Sequence, residues 1–262
     1  MRLGQNLLQQ GAAASGGSYD VMTAAFVQTL SLGYGSTTGL DFDATGTKMF
    51  IGEFGGDTVK SYSLSSSWDI STASYISGAD LSTVGRPQSI FWSSNGFRFT
   101  SADRLDGFRD YVCATQYDLT TVLSSAFISN STPGSLRTMF TYDDETKAAV
   151  TENFGDNFIL YDLATQGVLA SIQTPGTEYN FSPVDLESTG ISANGLLLFG
   201  SQDGASTIYQ WPLSVANDIS TYGTPETKTF SEFTLAREAV YGDNGRKFYV
   251  LDDGNVHEYN LT

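Results

Sequence analysis

The chain has 262 residues, of which 40% are apolar and only 16% charged, so it can bury a large core in one or two domains. Thirteen Lys and Arg against 29 Asp and Glu leave a net charge of −16, which disfavours nucleic-acid backbones and anionic membrane surfaces as partners. A single cysteine (Cys113) excludes an internal disulfide framework and a Cys-based zinc site, and a single histidine (His257) argues against a His-rich metal site or a Ser-His-Asp triad.

Residues 1–18, MRLGQNLLQQGAAASGGS, lack the continuous apolar core of a signal peptide, and no later run of about 18 apolar residues suggests membrane insertion. Leu3, Leu7 and Leu8 precede an Ala-Gly-Ser tether. Two readings stay open: a disordered start, or an arm whose leucines dock on a neighbouring subunit or another protein. From Tyr19 onward, short alternating apolar segments are broken by Gly or Asp-Asn clusters every ~8–12 residues, the rhythm of strands and turns.

The segments repeat. A turn with Gly at 46, 96, 195 and 245 recurs in DATGTKMFI, SSNGFRFT, SANGLLLFG and GDNGRKFYV, and a further copy, YDDETKAAV (142–150), carries Glu145 in its place. An aromatic, any residue, then Leu follows each turn: Tyr62–Leu64, Tyr117–Leu119, Tyr161–Leu163, Trp211–Leu213 and Tyr259–Leu261. Turns rich in Asp and Gly precede these strands and bring Asp57, Asp106, Asp156, Asp203 and Asp253 to one face. That rim reads either as a carboxylate ring for Ca²⁺ or a cationic partner, or as Asp serving tight turns, and the second reading is preferred because no loop has the dense acids of a calcium loop. SYDVMTAAFVQTLSL (18–32) nearly copies SSWDISTASYISGADL (66–81) but lacks the strand before it, which VHEYNLT (256–262) would supply.

Four strands in about 45–55 residues is the size of a β-propeller blade. The expected fold is an all-β, five-bladed β-propeller with blades at 36–82, 83–134, 135–181, 182–233 and 234–262 plus 19–33, the N-terminal strand completing the last blade. Residues 1–18 then form an arm outside the single domain 19–262.

Alignment of the inner strands places Thr38, Gln88, Arg137, Glu187 and Arg237 in one ring around the channel, with Glu238 beside the last. Alternating sign on consecutive blades predicts an ion-pair network; the competing reading is a pocket for a small anion or sugar with Arg137 and Arg237 as donors. Glu187 and Glu238 lie on adjacent blades with no third acid in the column, a poor fit to a glycosidase pair. For a lectin, the hairpin SADRLDGFRDY (101–111) offers Phe108 with Arg104 and Arg109, whereas Trp68 and Trp211 read as packing residues and Trp92 points inward.

The D-x-x-G-T-K-M-F-I turn at 43–51 resembles the D-G-T-K-x-Y-V turn of several bacterial propeller repeat families. The longer block from GLDFDATGTKMF through YSLSSSWDISTASY resembles repeats in propeller proteins of marine tailed phages and bacteria. The resemblance implies a rigid, non-enzymatic structural or attachment component of a virion, with no cofactor and with other virion proteins as partners, reached in part through the arm. The alternative is a carbohydrate-binding propeller for a host-surface glycan.

Overall fold

Among the residues that the computed structural model describes (17–81, 87–103, 107–129, 136–152, 157–181 and 184–262), twenty strands form five antiparallel sheets of four. β1 (Ala25–Ser31) opens the chain but belongs to the last sheet. The first blade is β2 (Thr37–Phe42), β3 (Lys48–Glu53), β4 (Thr58–Leu64) and β5 (Ala73–Asp80); the second is β6 (Phe91–Trp92), β7 (Arg98–Asp103), β8 (Gly107–Cys113) and β9 (Val122–Ser129). The third is β10 (Leu136–Tyr142), β11 (Lys147–Glu152), β12 (Asn157–Asp162) and β13 (Thr177–Asn180). The fourth is β14 (Leu186–Ile191), β15 (Leu197–Gln202), β16 (Thr207–Pro212) and β17 (Glu226–Thr229). In the fifth, β18 (Glu238–Gly242), β19 (Lys247–Asp252) and β20 (Asn255–Asn260) take β1 as their fourth strand, with Phe26 opposite Tyr259 and Leu30 opposite Val256. β18 packs on β2, so the ring closes as a five-bladed propeller through the N-terminal strand.

The core lies between blades. Tyr62, Leu64 and Ile70 of the first blade pack with Tyr249, Leu251 and Val256 of the fifth. The middle strands are covered on both faces, so β19 reads KFYVLD with four consecutive buried residues rather than a strict alternation. The strand after the hairpin turn carries the aromatic–x–Leu pair in four blades, where it is buried. In the second blade the equivalent pair is Tyr111 and Cys113: the Cys113 N–H donates to the carbonyl of Phe97, as that of Leu64 does to Thr47. Tyr117–Leu119 is therefore misaligned by the sequence pattern, because Cys113 replaces the leucine that the pattern requires.

Tyr117 belongs to a different five-fold set. Tyr19, Trp68, Tyr117, Gly167 and Asn217 all have positive φ, and each donates its N–H to the carbonyl of the turn residue of its own blade: Gly245, Gly46, Gly96, Glu145 and Gly195. A one-turn 3₁₀ helix follows each, and in four blades an Asp (20, 69, 118 and 218) caps it by accepting the N–H two residues on. This is the physical content of the shared Asp-Val-Met-Thr and Asp-Ile-Ser-Thr motifs. The Trp68 ring lies on Gly46, where an added Cβ would come within 2.2 Å of it. In the third blade the bulk has changed sides: the turn holds Glu145, and Gly167 faces it, with space so tight that a Cβ there would meet Glu145 Oε2 at 2.6 Å. We expect Gly167→Tyr alone to destabilise the fold by about 2–3 kcal/mol through overpacking and left-handed strain. In a Glu145→Gly background the same change should cost at least about 1 kcal/mol less, as a urea-denaturation double-mutant cycle would read.

The hold of the ring on the chain reaches back to Gly17, whose N–H donates to the carbonyl of Asn244 at 2.8 Å. Leu3, Leu7, Leu8, Arg104, Asp106 and Asp156 lie outside the described residues. No helix among the described residues is long and apolar enough to cross a membrane.

Candidate functional site

The channel carries two polar assemblies, one where the inner strands begin and one towards their ends. At the first, Glu187 Oε1 is shared, 3.0 Å from Nη1 of Arg137 and 3.0 Å from Nη1 of Arg237. Arg137 also lies 3.8 Å from the Asp203 carboxylate and donates a 3.5 Å bond to Gln88 Oε1. Thr38 donates to the carbonyl of Pro87. The alternating column thus forms an ion-pair network across the third, fourth and fifth blades, and its two guanidiniums are engaged with Glu187 instead of standing free for an anion. Burial raises the Glu187 carboxyl to about 7 against the pull of both guanidiniums.

Farther along the channel lies a cavity of about 390 Å³. Phe91, Phe140, Ile191 and Val240, from four different blades, provide apolar wall, and Asp41 and Glu238 provide carboxyl groups. Asp41 accepts the N–H of Phe42 at 2.8 Å and of Trp92 at 2.7 Å, which ties the first blade to the second. Protein surrounds its carboxyl while the residue keeps contact with cavity space, and this desolvation pushes it to about 7. Glu238 accepts from the Ser188 hydroxyl at 2.6 Å; burial raises it well above the usual carboxylate range, and the Asp41 charge raises it further. Asp41 escaped the sequence alignment because it lies three residues past Thr38. The available signal was an acid at an inner-strand position that the other blades fill with Phe91, Phe140, Gly190 and Val240.

The hairpin of the second blade does not provide the expected sugar platform. β7 and β8 extend so far that only 104–106 separate them, and Phe108 falls on the inward face of β8, where it is 1% exposed and packed with Leu136 and Met139 of the third blade. Arg109, on the opposite face, lies over the ring of Phe127, its partner residue on β9, 4.9 Å from the centroid. Trp92 and Trp211 are buried and Trp68 half-buried, all in packing roles. His257 is a buried residue of β20 hydrogen-bonded to Thr29, and burial lowers its pKa. The described turn acids serve the turns and the channel: Asp57 has positive φ, Asp203 reaches Arg137, and Asp253 accepts the N–H of Ser36.

No family model matches the chain, and no curated protein matches it. Solved structures do resemble it. The β-propeller domain of Cps50 (Swd1) from Myceliophteria thermophila aligns at 10% identity with a TM-score of 0.55, over 91% of this chain and 100% of that one. A periplasmic gluconolactonase of Pseudomonas aeruginosa aligns at 15% identity and TM-score 0.53, over 82% of this chain and 62% of that one. Hydrazine synthase of Kuenenia stuttgartiensis aligns at 13% identity and TM-score 0.51, over 84% and 56%. At these identities the likeness is one of fold, shared by proteins with unrelated chemistry.

Proposed function

We propose that this propeller is a non-enzymatic protein-interaction module and, in keeping with what its repeats resemble, a structural or attachment component of a tailed-phage particle. The observation that carries this reading is an uneven rim. β1, β5 and β9, the outer strands of the consecutive fifth, first and second blades, are seven or eight residues long, whereas β13 and β17 have four residues each and read TEYN and ETKT. The long strands expose Phe26, Val27, Tyr75, Ile76, Phe127 and, at 70%, Leu123. Among the described residues no strand pairs with their outer edges. A long, apolar edge strand is a liability in a free protein and a template for a partner strand in an assembly. The carbohydrate-binding alternative loses its aromatic platform with the burial of Phe108.

Sedimentation of particles carrying Tyr75→Lys/Leu123→Lys protein tests the proposal. The wild type should co-sediment with the particle, and the variant should remain soluble and free with an unchanged melting transition. Wild-type protein found only as a free monomer would count against a structural role.

A further inference from the structure

The channel cavity holds buried polar groups that docking at the rim leaves unused. Among the described residues four acids line it (Asp41, Asp43, Glu145 and Glu238), and no Lys or Arg does. Two are engaged locally: Asp43 accepts from Thr45, Thr47 and the Lys48 N–H, capping its own turn, and Glu145 accepts the N–H of Ser94. Asp41 and Glu238 retain acceptor capacity, since an ionised carboxylate has about four acceptor sites. Thr141 and Thr189 also line the cavity, but their hydroxyl oxygens are closed off from it. Carboxyl groups with spare acceptor sites at the wall of one space suit a polar occupant.

Size, wall and charge narrow its chemistry. About 390 Å³ lies within the range of small-molecule sites. Phe91, Phe140, Ile191 and Val240 call for an apolar body, and an acids-only lining calls for positive charge. Among the described residues no three His, Cys, Asp or Glu side chains converge as metal ligands would, so a bare metal ion lacks its ligand set. We propose that the cavity binds a small organic cation, a primary amine on an aromatic or branched aliphatic body, with its ammonium group held by Asp41 and Glu238. An ammonium has three donors and no acceptor, which matches two carboxyl groups with spare acceptor sites. Its charge within about 4–6 Å would favour the carboxylate form that burial otherwise opposes.

Calorimetry on the full chain with three probes of similar shape tests this: phenethylamine, 2-phenylethanol and phenylacetate. Phenethylamine should bind at least about ten-fold tighter than the alcohol, and phenylacetate should not bind. Asp41→Asn and Glu238→Gln should each erase the preference for the amine over the alcohol. Val240→Trp, which adds bulk at the cavity wall, should abolish binding of all probes. Equal affinity for amine and alcohol, or no saturable binding of the amine below about 10 mM, overturns the proposal. If either acid variant fails to fold, the ranking of the three probes on wild-type protein and the Val240→Trp block still decide it.

Discussion

Deletion of residues 1–33 should abolish the cooperative melting of the ring, whereas deletion of 1–16 should leave it in place. Residues 17–33 supply more than an edge strand. Tyr19 and Val21 are buried, Val21 fully so, and Val21 packs with Phe199, Ile208, Phe248 and Val250 of the fourth and fifth blades. Burying side chains of this size contributes about 1.5–3 kcal/mol each. Hydrogen bonds reinforce the join: the Val21 N–H donates to Gln210 Oε1 at 2.7 Å, the Tyr241 hydroxyl to the Tyr19 carbonyl at 2.9 Å, and Lys228 Nζ to the carbonyls of Met22 and Ala24. Each buried pair left unsatisfied costs a further ~1–3 kcal/mol. Loss of all these approaches the ~5–15 kcal/mol total stability of an ordinary domain, and it turns β20 into an open edge. Thermal unfolding of the two truncations, followed by addition of a peptide spanning 17–33 to the shorter protein, reads the effect. Identical melting of both would show that the closing strand is dispensable.

The second large effect is expected at the channel network. Glu187→Leu should destabilise the protein by about 3–5 kcal/mol, because one buried carboxylate oxygen serves two guanidiniums that would then face each other without the charge between them. Glu187→Gln keeps the shape but removes the charge and should fall between Leu and wild type. Replacing Arg237 with Met in the Glu187→Leu protein should recover part of the loss, since it removes one uncompensated charge along with its partner. Urea denaturation of the three variants checks the order, and a change below about 0.5 kcal/mol for Glu187→Leu would mean the network is only a surface-like pairing.

The network was legible because Arg137, Glu187 and Arg237 occupy one column of a regular repeat, and neighbouring blades bring one column to one height of the channel. Asp41 was not legible by that route. Its neighbours are set by the pairing of the first blade with the second and by ring closure onto the fifth, so its approach to Glu238 joins residues from nearly opposite ends of the chain. The second-blade platform failed for a local reason: β8 already begins at Gly107, so Phe108 is a strand residue packed against the third blade and not part of a loop.

The five blades, their turn glycines and the closing strand were determined by the sequence alone. All of these rest on short-range rules: alternation with period two, left-handed turn residues, and an Asp-capped turn before the outer strand of four blades. Only the tertiary structure decided which partner fills each gap. It put Gly167 opposite Glu145, put Cys113 in place of the repeated leucine, and gathered Asp41, Glu238, Thr141 and Thr189 around one cavity. Packing responds to the total volume and charge at a point in space, and residues far apart in the chain contribute to it on equal terms with neighbours.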